Sequence, residues 1–284
     1  LSCLLGGKTL KKQLLCTSAI ALGVAAAPAA AQDWNLDWGG FYNTHVAYAD
    51  NGGTGIAPAA DFDGIEVVGN GEIIFTPSIT LDNGMTFGIN VQMEAQNSGG
   101  GVDGIDESYV FVSSDTLGRI EMGGENSAGY KLMVGAPSVG SFGINSGSVS
   151  TVSPIRHQFR SAAGSTFTEV AGNNDIQRIS YFTPDFNGFT AGISYAPGNT
   201  TNASNTGGFN RNVAGVVSDI FDLGLNYSGS FGTTTVAFGA RYGTGDRQNT
   251  GAFAGTSDPD TWGVGFQVGF GAIAFGASYA KNDN

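Results

Sequence analysis

Residues 85–94 read MTFGINVQME. Met85, Phe87, Ile89, Val91 and Met93 are apolar, while Thr86, Gly88, Asn90, Gln92 and Glu94 between them are small or polar. A strand sends successive side chains to opposite faces, so this stretch is a ribbon with one oily side and one wet side. The same period of two returns near 40–49, 71–81, 106–114, 119–124, 179–181, 189–195, 221–227, 236–242, 262–270 and 273–279. Trp262, Val264, Phe266, Val268 and Phe270 give its clearest instance. Eleven strands follow, many of them about ten residues long, and no segment after residue 31 carries a helical period. The fold class is therefore all-β. What remains open is whether the oily side meets a protein core or something else.

The connections narrow the choice. Asp82-Asn83-Gly84 has the chemistry of a tight hairpin turn, and Asp115–Gly118, Asp185–Gly188, Ser230–Gly232 and the region of Gly271 are also short. Between them lie long connections over 50–70, 97–105, 125–176, 197–219 and 244–260, so that short and long alternate strictly. A soluble sandwich has no reason to keep every long loop at one end. A transmembrane up-and-down antiparallel β-barrel does, and a tilted strand of about 9–11 residues crosses a bilayer's hydrocarbon. Closure also pairs the backbone groups that lipid cannot satisfy. On this reading the oily faces meet lipid. Tyr42, Tyr48, Tyr109, Tyr181, Tyr195, Tyr227, Tyr242 and Tyr279 fall toward strand ends or on that outer face, as an interfacial aromatic girdle requires.

Composition fits a β protein with dispersed apolar residues. Charged residues are 13% of the chain, glycines number 46 and prolines 8. Residues 1–31 stand apart as a signal peptide. Lys8, Lys11 and Lys12 precede an apolar stretch over Leu14–Val24, and Ala29-Ala30-Ala31 is an A-x-A signal for cleavage before Gln32. Residues 1–9 read as possible upstream sequence. Cys3 and Cys16 both lie in this leader, so the exported chain is expected to hold together without disulfides. Beyond residue 31, nine basic residues face 24 acidic ones, a net charge of −15. Nucleic acid is an unsuitable partner for such a chain. The acidity suits cations as traffic, and equally a solubilising surface.

LGRIEMGGE (117–125), RISYFTPDFNGFTAGISYAP (178–197), FDLGLNYSGSFGTTTVAFGARYGTGD (221–246) and TWGVGFQVGFGAIAFGASYA (262–281) resemble the general bacterial porins, especially those of alphaproteobacteria. The leader is of the same type, and the resemblance covers most of residues 32–281, here taken as one barrel domain over 32–284. It implies a barrel of sixteen strands, usually a homotrimer when full length, with a long third loop folded into the pore. The eleven strands here and an end at Lys281-Asn282-Asp283-Asn284, without the family's closing aromatic residue, read as a C-terminally truncated fragment. The implied setting is the outer membrane, reached by Sec export, with membrane lipid and lipopolysaccharide around the barrel. The implied role is a water-filled channel for passive diffusion of small hydrophilic solutes and ions, with no bond made and no cofactor. A substrate-specific channel with a sugar track at Tyr130, Phe142 and Phe159, and an exported β-sandwich adhesin, are the alternatives.

Loop 125–176 takes the position of the family's constriction loop. Its charged residues Lys131, Arg156, Arg160, Glu169 and Asp175 are candidates for the pore constriction, since opposed charges at the narrowest point select solutes. On the strands, Glu72, Glu94, Arg119, Glu121, Arg178 and Arg241 fall opposite the aromatic set. A charge facing lipid near the midplane costs about 2–4 kcal/mol, so these six are the pore-lining candidates. Ile74 and Phe182 share their parity, where a loop would cover them. Gly263, Gly265, Gln267 and Gly269 line the inner face of one strand, leaving room for water or an inserted loop or allowing the strand to bend. Asp61-Phe62-Asp63-Gly64 lacks the spacing and terminal Glu of a calcium loop and reads as acidic loop. His45 and His157 are the only histidines, and no metal, cofactor or catalytic set is expected.

Overall fold

The structure is a computed structural model and describes residues 33–51, 62–97, 104–137, 169–170, 174–199 and 213–283. It contains eleven strands: β1 (Asn35–Asn51), β2 (Phe62–Thr80), β3 (Thr86–Asn97), β4 (Ile105–Ser114), β5 (Gly118–Glu125), β6 (Ile176–Phe182), β7 (Phe189–Gly198), β8 (Val217–Phe231), β9 (Thr234–Arg247), β10 (Asp260–Phe270) and β11 (Ile273–Asp283). They form a single sheet in sequence order, each antiparallel to the next. Among the described residues β1 and β11 each pair on one side only. Connections of two to six residues alternate with connections of seven to 50, so the long ones share one edge of the sheet.

The short connections follow their turn chemistry. At Gly84 the backbone has φ +79°, and its amide donates to Leu81 O at 2.9 Å while Asn83 Oδ1 accepts from the Met85 amide. Asp185 Oδ1 caps the next turn in the same way, accepting from the amide of Gly188. Gly88, by contrast, is glycine for space: a Cβ there would stand 2.8 Å from Pro77 O and would collide with the Phe111 ring.

The burial of the sheet is inverted relative to a water-soluble protein. In β8 the apolar Leu223 is 47% exposed, whereas its neighbour Asp222 is 1% exposed. Ile193, Phe221, Leu225, Phe238, Val264 and Phe266 are exposed likewise, while Ser180, Ser194, Arg178 and Arg241 are buried. The reason lies on the inner face, where residues 127–137 and 169–170 lie over the wall. The outer face is stitched by cross-strand aromatic pairs: Trp38 with Phe75 at 4.5 Å, Phe189 with Tyr227 at 4.5 Å, and Tyr195 with Phe221 at 5.1 Å.

Three expectations need correction. Tyr109 does not belong to the outer aromatic set. It pairs with Asn90 and Gly123 on the inner face, where the Lys131 ammonium stands 4.6 Å from its ring centre. Phe111 shares that face beneath the Arg119 guanidinium. Residues 62–70 are not loop but the first half of β2, and β1 runs on to Asn51, giving strands of 17 and 19 residues. Phe62–Gly64 of the acidic tetrapeptide is thus strand, and Asp61 lies outside the described residues. The chain beyond residue 31 also holds a short helix, α1 (Ala128–Leu132), too brief to show a period. Residues 1–31, the expected signal peptide, lie outside the described residues.

Candidate functional site

The site is the inner face around α1. Ser127 starts the helix: its Oγ accepts from the Tyr130 amide at 3.1 Å, and its own amide donates to Glu169 Oε1 at 2.5 Å. The Ala128 amide donates to Ser194 Oγ of β7 at 2.6 Å, and that hydroxyl also bonds Ser180 of β6. Further on, Asn226 of β8 donates to Leu132 O at 3.0 Å and Gln267 of β10 donates to Gly135 O at 2.8 Å. The segment is therefore bonded by its main chain to side chains of three strands. Next to it, Val170 packs with Ile176, Ala196, Val217 and Ile220 in a small apolar cluster.

The charged candidates sort into groups. Lys131 projects from α1 onto β5, where it pairs with Glu121 at 2.7 Å and with Glu125. Burial pulls the Lys131 ammonium down, but the charges of Glu125 and Glu121 outweigh it and hold the group above its ordinary value. Arg119 reaches the other oxygen of Glu121 at 2.5 Å, so this carboxylate is shared between two cations. The Phe182 ring lies 5.8 Å from Lys131, which covers it as its inner parity demanded. A second group sits behind α1. Arg241 donates to Asp222 at 3.0 Å, Arg178 stands 3.8 Å from Glu169, and all four side chains are 1% exposed. These cations serve the wall and the segment rather than open water.

The third group is acidic. Glu72 and Glu94 face each other across β2 and β3, and with Asp106 they bring carboxylate oxygens within 4.8 Å of one another. Oxygen donors of this kind suit a hard cation, although carboxylates on a wet wall commonly stand without one. Near this group Asp175, held at φ +53°, is pushed up to about 7, first by burial and then by the charges of Asp106 and Glu107. Glu107 ends a polar ladder in which Gln92 bonds both Glu107 and Asn90, and Asn90 bonds Thr76.

All six strand candidates thus share the face that carries α1. Lys131, Glu169 and Asp175 come to the same face, whereas Arg156 and Arg160 lie outside the described residues. Residue types alone missed Asp106, Glu107, Glu125 and Asp222. Two of them are found by parity: Glu107 stands opposite Gln92 on β3, and Asp222 shares the face of Arg241 across β8 and β9.

The sequence model of the family described as Gram-negative porin matches residues 17–284. An uncharacterised protein of Rickettsia bellii is 29% identical over 164 residues, covering 52% of this chain and 36% of that one. Among solved structures, OmpF of Salmonella typhi, in complex with daunomycin, superposes with a TM-score of 0.55 at 16% identity, covering 88% of this chain and 66% of that one. This chain therefore spans about a third of the Rickettsia protein and somewhat under two thirds of the OmpF chain. At that identity the OmpF likeness speaks for the fold alone, and it agrees with the meander and its inverted burial. With a family match over nearly its whole length, the chain belongs to the Gram-negative porins.

Proposed function

We propose that the chain builds the wall and constriction of a water-filled outer-membrane channel through which small hydrophilic solutes and ions diffuse passively. The observation that carries this reading is the pairing of an exposed apolar face with a charged inner face on which residues 127–137 are laid. Hydrocarbon is the solvent that makes the first face favourable, and water is the solvent that makes the second one useful. The outer membrane supplies both, with lipid and lipopolysaccharide as the surrounding partners and a homotrimer as the assembly. Transport of this kind breaks no bond and needs no cofactor.

Selectivity follows from the balance of charge along the inner face. Lys131, Arg178 and Arg241 are tied to Glu121, Glu125, Glu169 and Asp222. Glu72, Glu94 and Asp106 add a further group of carboxylates to the same face. Among the described residues the inner face carries more acidic than basic side chains, which supports cation preference. The sugar-track alternative gains nothing here, because Tyr130 is in α1 and Phe142 and Phe159 lie outside the described residues. A β-sandwich would need two sheets face to face, and the described strands form one.

Planar bilayers test the reading. Protein extracted from outer membranes should give stepwise conductance, and a potassium chloride gradient should give a reversal potential of the sign for cation flow. Absence of steps at any protein concentration would overturn the channel, and an anion-selective potential would overturn the charge argument.

A further inference from the structure

The inner faces of β7 to β11 carry glycines where the α1 segment crosses them. A Cβ at Gly192 would stand 3.0 Å from Ala128 Cβ, and one at Gly224 would overlap Ala128 O. At Gly239 it would overlap the Val134 amide and stand 3.1 Å from Leu132 O. At Gly265 it would overlap Val134 O, and at Gly276 it would stand 2.8 Å from Pro137 Cδ. Gly192 pairs with Gly224, and Gly239 pairs with Gly265, so the positions join into a track across the strands. Ordinary contact needs about 3.5–4.0 Å, so methyl groups at Gly224, Gly239 and Gly265, whose nearest neighbours are segment backbone atoms, would force the segment off the wall.

The side chains beside the track are of a second kind. Ser194, Asn226 and Gln267 each bond a main-chain atom of the segment, at Ala128, Leu132 and Gly135 respectively. The wall therefore recognises the backbone of 128–137, with glycine beneath it and polar pegs along it.

From this placement we infer that Gly224, Gly239 and Gly265 are positioning residues of the constriction. By lacking a side chain they let the segment sink into the wall, and that depth sets how much bore is left. The inference rests on the channel reading for its consequence, but the seating of the segment is measurable without it. It also explains a difference within one strand. The three atoms nearest a Cβ at Gly263 are Tyr279 O, Ala280 Cβ and Arg241 Cγ, at 3.3 to 3.6 Å, and all three belong to the wall. An alanine at Gly263 presses on Tyr279 O of the neighbouring strand at 3.3 Å and not on the segment, whereas one at Gly265 overlaps the Val134 carbonyl.

The test uses a thiol probe in the segment. Cys3 and Cys16 belong to the leader, so Met133→Cys supplies the sole thiol of the processed protein, at a position 6% exposed. Its reaction with a charged methanethiosulfonate reagent is timed in detergent, on protein that shows folded gel mobility. Gly239→Ala and Gly265→Ala are expected to speed labelling at least ~10-fold and to lower single-channel conductance, while Gly263→Ala changes neither. Asn226→Ala and Gln267→Ala only shorten inner-face side chains and should also speed labelling. They keep the test decisive if a glycine variant fails to fold. Parent-like labelling in the glycine or the peg variants overturns the proposal. Faster labelling with unchanged conductance overturns the link to the bore. If no variant or parent conducts while labelling still separates them, the seat stands and the channel reading falls.

Discussion

Arg241→Met is the sharpest single perturbation of the seat under α1. Arg241 Nη2 donates to Asp222 Oδ1 at 3.0 Å, with both side chains 1% exposed. The helix lies directly on this carboxylate, since a Cβ at Gly129 would stand 2.7 Å from the same oxygen. Removing the guanidinium leaves a buried anion whose remaining charged neighbours are Arg178 and Glu169, of opposite effect. Breaking a buried pair from one side costs about 3–5 kcal/mol, whereas replacing both partners by apolar groups is close to neutral. Because Arg178 remains, the lower end applies, about 3 kcal/mol. At roughly 1.4 kcal/mol per decade, the opening equilibrium of the seat shifts about a hundredfold. Hydrogen exchange in detergent micelles reads this at two amides: Lys131, bonded to Ser127 O at 2.9 Å, and Ala128, bonded to Ser194 Oγ at 2.6 Å. Both should exchange about a hundredfold faster in Arg241→Met, with amides of β10 and β11 unchanged. Arg241→Met combined with Asp222→Leu should return most of the protection. Exchange within about threefold of the parent in the single variant would refute the reasoning, because the pair would then carry too little of the seat.

Further expectations follow from other parts of the molecule. Asp175 titrates near 7, above the roughly 3.9 of an unfolded aspartate, so it favours the folded state below about pH 4 and that contribution is lost as pH rises through 7. Asp175→Asn keeps a residue that tolerates the left-handed backbone, so thermal loss of folded gel mobility should match the parent at pH 4 and come later than the parent at pH 8. Leu223→Arg places a charge on the exposed apolar face at a cost of about 2–4 kcal/mol, and should lower folding yield into phospholipid vesicles. Ser228→Arg, of opposite parity in the same strand, should fold at the parent's yield. Ser127→Ala removes the cap of α1, worth about 1 kcal/mol, and should raise exchange of the Tyr130 amide roughly fivefold.

Much of the architecture was legible because the side-chain period of a strand is two. Phe221, Leu223 and Leu225 against Asp222, Gly224 and Asn226 fix both the strand and its faces from ten or so letters. Parity failed where both phases are apolar. In 107–112 the sequence is ESYVFV, and Tyr109 and Phe111 look outward by type, yet Glu107 shares their phase and belongs inside. The charge, not the aromatic ring, was the decisive letter. β2 was cut short because Gly64, Gly69 and Gly71 dilute the alternation of Ile65 and Val67. α1 spans five residues, less than two turns, and is held by its cap and by Ser194 rather than by a periodic face. At the site, signs and parity of Glu121, Arg178 and Arg241 were readable, but their partners were not. Which acid Arg241 meets depends on a register between β8 and β9, and what Gly265 makes room for depends on a segment more than a hundred residues earlier.

One measurement bears most directly on the exposed face. Phe266 points outward from β10 at 48% exposure, and its neighbour Gln267 points inward to Gly135 O. In a background with Trp34, Trp38 and Trp262 replaced by Phe, single tryptophans are introduced as Phe266→Trp and Gln267→Trp and reconstituted with brominated-chain lipid. Strong quenching of the Phe266→Trp variant with little quenching of the Gln267→Trp variant is the predicted result. Equal quenching of the two, or none in either, would contradict a hydrocarbon-facing wall.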